Sequence, residues 1–150
     1  MRLTAFFCAD HAEAVNGKLY VTGGCWNALN VAQLPTAYHH LSVCIALEVP
    51  WEETGRPHAF DVRLVDADGR DMLPQSFAGQ IDTARPPEMR AGESLAVVMV
   101  LNLNNMTLTQ DGHHEFVMTV DGNPLGRARF RVNVMQPPGS PSQDMPGHYI

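Results

Sequence analysis

Apolar and polar residues alternate along most of this chain with a period of two. Leu41, Val43, Ile45, Leu47 and Val49 fall on one side of a segment whose other side carries Ser42, Cys44, Ala46 and Glu48. That is the pattern of a strand with one face in a core, and Pro50 ends it. Phe60, Val62 and Leu64 alternate with Asp61 and Arg63, and Asp66-Ala67-Asp68-Gly69 then signals a hairpin turn with a return strand over 73–80. Phe116, Met118 and Val120 lead into Asp121-Gly122-Asn123-Pro124 and a last strand carrying Phe130, Val132 and Val134. Near the start, Asn16-Gly17 separates two further strand segments, and Gly23-Gly24 marks a bulge or break in the second. The stretch 10–15 is the one candidate helix and is too short to count.

The strands so predicted are 3–10, 18–30, 40–49, 57–65, 73–80, 94–104, 115–121 and 125–134, with long connections at 33–39, 81–93 and 105–114. Turn signals at this spacing predict an all-β, two-sheet antiparallel sandwich, immunoglobulin-like or jelly-roll-like, over residues 1–134. Residues 135–150, with Pro137, Pro138, Pro141, Pro146, Gly139 and Gly147, are expected to form an extended tail.

Composition changes this picture little. At 150 residues and 45% hydrophobic content the chain is long enough to hold a core, removing roughly 70% of its unfolded surface from water. Sixteen acidic against ten basic residues, a net charge of -6, disfavours nucleic acid and anionic membranes as partners. The apolar run after Met1 is too short for a signal sequence and is interrupted by Asp10, and no segment approaches the ~20 apolar residues of a membrane span. Cys8, Cys25 and Cys44 are an odd number set in apolar strands, which points to reduced thiols and a cytoplasmic location.

The block Ala9-Asp10-His11-Ala12, followed by Asn16-Gly17-Lys18-Leu19-Tyr20-Val21 and Gly23-Gly24, resembles the opening of an uncharacterised bacterial family of β-sandwich domains. Val49-Pro50-Trp51, Asp66-x-Asp68-Gly69 and Phe116-x-Met118-x-Val120-Asp121-Gly122 are similar as well. The resemblance covers roughly residues 1–134 and implies the fold; it carries over no activity and no functional residue.

Candidate chemistry is sparse. Asp66, Asp68 and Asp71 around Gly69 faintly resemble a calcium loop, but the glycine is misplaced and the twelfth-position glutamate is missing, so a plain hairpin turn is expected. His39-His40 and His113-His114 are adjacent pairs whose members point to opposite faces of a strand, so a metal would need ligands from separate segments. Cys8 beside Asp10 and His11 is the one suggestion of a nucleophile, but an apolar strand and a nearby carboxylate both suppress a thiolate. No Gly-x-Ser-x-Gly elbow is present, and Gly23-Gly24 lacks the following helix of a phosphate loop. No catalytic residue, metal or cofactor is assigned.

Two surfaces remain. Arg127, Arg129 and Arg131 share one face of the last strand, either as a solvated stripe paired with acids or as a docking site for an acidic partner. In 94–104, Leu95, Val97, Met99, Leu101 and Leu103 make one face apolar while Ala96, Val98 and Val100 make the other apolar too. A loop such as 81–93 or a second chain must cover it. Trp51, just past a strand end, is a further candidate anchor. The sequence therefore points to a non-catalytic interaction or structural module that binds a protein partner or self-associates through the apolar strand. The alternative is a small-ligand or metal-binding domain with a site in the histidine-bearing loops.

Overall fold

The structure, a computed structural model, describes residues 1–137 and residue 139. Nine strands follow one another: β1 (Arg2–Val15), β2 (Lys18–Trp26), β3 (Ala28–Val31), β4 (Thr36–Pro50), β5 (Pro57–Asp66), β6 (Phe77–Asp82), β7 (Ser94–Leu108), β8 (Gly112–Val120) and β9 (Asn123–Val134). They form a four-stranded sheet in the order β2-β1-β4-β7 and a five-stranded sheet in the order β3-β9-β8-β5-β6. The two sheets pack face to face as an all-β sandwich. Between them lie Leu41, Val43, Ile45, Leu47 and Val49 of β4, Val62 and Leu64 of β5, Phe116 and Met118 of β8, and Phe130 and Val132 of β9. These are the alternating positions of the sequence. Phe116 stacks on Phe130 with ring centroids 5.7 Å apart.

The departures from the sequence reading have local causes. The segment 18–30 is two strands, not one. Gly23 and Cys25 both adopt left-handed φ (60° and 63°), and the chain turns out of the first sheet after Trp26. It enters the second sheet as β3, parallel to β9, so that sheet is not wholly antiparallel. The return strand expected over 73–80 begins only at Phe77, because Pro74 has no amide to offer a ladder; before it a single bridge joins Val65 and Asp71. The loops 33–39 and 105–114 are shortened, since β4 starts at Thr36 and pairs with β7 as far as Leu108. The candidate helix 10–15 is strand, continuing β1 into the Asn16-Gly17 turn, where both residues take the positive φ that a tight hairpin needs. The tail beyond residue 139, expected to be extended, lies outside the described residues.

β1 serves two partners. Residues 2–9 pair with β4 and residues 8–15 with β2. Beyond Ala9 the β1–β2 hairpin leaves the sheet edge and lies over the outer face of β4. There the Ala12 amide donates to Ser42 Oγ at 3.0 Å, and Ala9, Ala12 and Cys44, with no exposed surface, are enclosed by Phe7, Leu19 and Val100. This small second core covers Cys44 on the outer face of β4.

Phe116 anchors the main core, with no exposed surface. Phe116→Ala should cost about 3–5 kcal/mol in urea unfolding, through lost burial and the cavity left behind.

Candidate functional site

The strand that is apolar on both faces, β7, is an edge strand: among the described residues its one ladder partner is β4. Its inward side chains Leu95, Val97, Met99 and Leu101 touch the main core but are only half-buried, because the sandwich opens along this edge. On the outer face Val100 packs into the second core under the β1–β2 hairpin, Val98 is half-buried and Ala96 is exposed. The cover is thus partial, and it comes from the chain's own hairpin. The loop 81–93 runs elsewhere. It bridges the end of the sandwich, with Gly55 N–H donating to Thr83 O and Trp51 N–H to Glu93 O. Farther along β7, Asn102 to Thr107 face Met72, Leu73, Pro74 and Phe77 across a cleft of about 530 Å³.

The other three sheet edges carry devices that discourage pairing. β3 is four residues long and β6 six, and β2 is broken by the Gly23 and Cys25 backbone. β7 has none of these. Its fifteen residues contain no charge, proline or glycine.

Trp51 lies half-buried in a 3₁₀ turn with the Arg85 guanidinium 3.8 Å above its ring. Arg85 also donates to the Trp51 carbonyl and to Thr54 Oγ1, so this aromatic face is already covered from within. Arg127, Arg129 and Arg131 do line one outer face of β9. Glu115 accepts from Arg127 at 2.6 Å and from Arg129 at 3.1 Å, which neutralises half of that pair's charge. Arg131 meets Asn133 and His113 and no acid among the described residues.

Asp66 closes its hairpin by accepting the amides of Asp68 and Arg70 and the Gln110 side chain, and the Arg70 amide above all holds its carboxyl below the ordinary range. Asp71 faces Arg63 instead. His113 is exposed and His114 buried on opposite faces of β8, with His114 stacked on Phe130. Burial, together with a lesser contribution from a neighbouring cysteine, pushes the Cys8 thiol up to about 12 and the Cys44 thiol up to about 11, so neither is a nucleophile at neutral pH. Cys25 is exposed, and all three thiols are free.

Two polar clusters escaped the sequence reading. At one end of the sandwich His58, 1% exposed, holds Asp121 Oδ2 through Nδ1 and the Glu53 carbonyl through Nε2, both at 2.7 Å. Two acceptors on one ring require the imidazolium. The Glu53 carbonyl, assisted by Asp121 and opposed by burial, raises the His58 pKa, while the His58 hydrogen bond lowers that of Asp121.

The second cluster lies on the outer face of β4. Ser42 Oγ is 3.4 Å from His40 Nε2, and His40 Nδ1 is 2.6 Å from Asn104 Oδ1, an order resembling nucleophile, base and orienter. Ser42, however, is fully buried; its hydroxyl donates to Asn102 Oδ1 and accepts the Ala12 amide. It is a strut for the hairpin, with no path to a substrate. On the open side of the cluster His11 Nδ1 stands 3.5 Å from His40 Nε2. Neither cluster carries a spacing signal, because each joins residues dozens of positions apart.

Taken together, these features define a two-sheet β-sandwich whose distinctive surface is an apolar edge strand with one ladder partner among the described residues. Residues 4–133 match the DUF6941 family, a family of unknown function, and the chain belongs to it. No curated protein matches the chain. Among solved structures, a β-glucosidase from Listeria innocua, in complex with glucose, is similar at 13% identity and a TM-score of 0.42, over 73% of this chain and 15% of its own. A Pseudomonas fluorescens alkylpurine DNA glycosylase, AlkC, bound to DNA containing an abasic site analog, is similar at 17% and 0.38, over 72% of this chain and 28% of its own. The chain therefore spans a small part of either protein. Among the described residues no helix is long and apolar enough to cross a membrane.

The His58 pair generates a pH dependence of fixed sign. A raised histidine pKa means that the folded state holds a proton the unfolded state releases. The stabilisation is complete below the unfolded histidine value of about 6.5 and fades as pH rises through the higher folded one. Asp121 acts oppositely, its share present above the ordinary aspartate value near 3.9 and lost as acid takes pH through its lower folded value. Urea unfolding from pH 5 to 9 should therefore show a decline above about pH 6.5 that His58→Gln flattens. An unchanged slope in the variant would refute the assignment.

Proposed function

We propose that this protein is a non-catalytic interaction module that self-associates through antiparallel pairing of β7 with β7 of a second copy. The observation that carries the proposal is the fifteen-residue edge with no charge, proline or glycine, in a fold whose other edges are short or broken. Within it, the seven residues Leu95-Ala96-Val97-Val98-Met99-Val100-Leu101 are nearly palindromic in size and polarity.

Antiparallel self-pairing about Val98 sets Leu95 against Leu101, Val97 against Met99 and Ala96 against Val100 of the other copy. Inward side chains meet inward ones and outward meet outward, as a continuous sheet requires. Ser94 then opposes Asn102, so polar residues close both ends of the apolar block. The two-fold arrangement is isologous, the commonest form of homo-oligomer. A second copy fits better than an acidic partner, because Glu115 already engages two of the three arginines of the stripe on β9. Three free thiols, two of them buried with raised pKa values, suit a reducing compartment and support a cytoplasmic location.

Sedimentation at micromolar concentration should give twice the 16.5 kDa chain mass. Val98 is half-buried at the centre of the pairing, so Val98→Arg puts two like charges opposite each other and should give monomers, as should Val98→Glu. Mixing the two variants should restore a dimer. A monomeric parent, or a dimer indifferent to both substitutions, would overturn the proposal.

A further inference from the structure

His11 on β1 and His40 on β4 are brought together by the hairpin that folds over β4. Their rings lie 5.6 Å apart between centroids and are inclined at 37°. His40 Nδ1 is held by Asn104 Oδ1 at 2.6 Å, which places the ring proton on Nδ1 and leaves a lone pair on Nε2. His11 Nε2 lies 3.4 Å from Glu13 Oε1, a longer contact that suits the tautomer with its proton on Nε2 and its lone pair on Nδ1. The two nitrogens that remain, His11 Nδ1 and His40 Nε2, face each other across 3.5 Å. Nitrogens so placed either share one proton in a hydrogen bond or converge on one metal ion.

We propose that His11 and His40 form a site for a divalent borderline metal ion of the zinc and copper class, ligated through His11 Nδ1 and His40 Nε2. Metal–nitrogen bonds of about 2.0–2.1 Å at a tetrahedral angle put two ligand nitrogens roughly 3.3 Å apart, close to the spacing found. Each imidazole already has the outer partner that metal-bound histidines use to fix tautomer and ring orientation: Glu13 for His11 and Asn104 for His40. Imidazole ligands select this class of ion over calcium or magnesium. Among the described residues no three His, Cys, Asp or Glu side chains converge, so two positions are left for water or an added ligand. His11 is half-exposed, which gives the ion access from solvent. The site would clip the hairpin to β4, next to the Ala12–Ser42 strut. It is independent of β7 pairing.

Zinc chloride titrated into chelator-treated protein by calorimetry should bind one ion per chain. Bound copper(II) should show nitrogen coupling from two imidazoles in its electron paramagnetic resonance spectrum. His11→Ala and His40→Ala should each weaken binding by more than about tenfold, and Asn104→Ala by roughly tenfold, as loss of an outer partner does. His39→Ala and His113→Ala should leave binding unchanged, and Val98→Arg should bind zinc as the parent does. Circular dichroism of each variant confirms that it is folded. Zinc should raise the melting temperature of the parent and not that of His40→Ala. Absence of stoichiometric binding, a proton alone bridging the pair, or binding that survives both histidine substitutions would overturn the site.

Discussion

A strand that is apolar on both faces cannot leave either face in water, and β7 is such a strand, lying beside β4, whose outer face sets Cys44 and Ala46 among His40, Ser42 and Glu48. The inner faces are satisfied by the sandwich core. The outer faces are satisfied by an unusual use of β1, which pairs with β4 over its first half and then lifts with β2 to lie across β4. That cover ends at Val100. Val98 and Ala96 lie beyond it, on the strand whose free edge has no ladder partner among the described residues.

The same hairpin sets the polar chemistry of the outer face. Laying a strand over a sheet would strand its amides, and Ser42 meets this need by accepting the Ala12 amide while donating to Asn102. Holding Ala12 in place also carries His11 to His40. At the opposite end, the His58 imidazolium ties β5 to the β8–β9 turn through Asp121 and to the 3₁₀ turn through Glu53. The two clusters thus secure two different crossings of the sandwich with side-chain hydrogen bonds where ladder bonds cannot reach.

Much of the fold was legible in the residues. Alternation located the core faces of β4, β5, β8 and β9, and Asn16-Gly17, Asp68-Gly69 and Asp121-Gly122 marked turns that form. The transfer of β3 to the second sheet was not legible, because alternation continues through Leu29 and Val31 whichever sheet receives them. The double apolar pattern of β7 was visible, but not its edge position or the identity of its cover, since strand order depends on contacts far apart in sequence. The pairings of His58 with Asp121 and of His11 with His40 were hidden for the same reason. Trp51 shows the converse: its apolar ring suggested an anchor, and Arg85, thirty-four positions away, occupies it.

Pairing of the free edge of β7 with its copy can be read from residue-resolved amide hydrogen exchange. In a strand bonded on one edge alone, alternate amides point outward and exchange fast, whereas a strand bonded on both edges protects every amide. A β7–β7 dimer should show slow exchange at every amide from Leu95 to Leu101 at dimer concentrations, with alternate ones becoming fast on dilution to monomer. Alternating fast exchange at all concentrations, or full protection that persists in the monomer because the chain's own tail covers the edge, would contradict it.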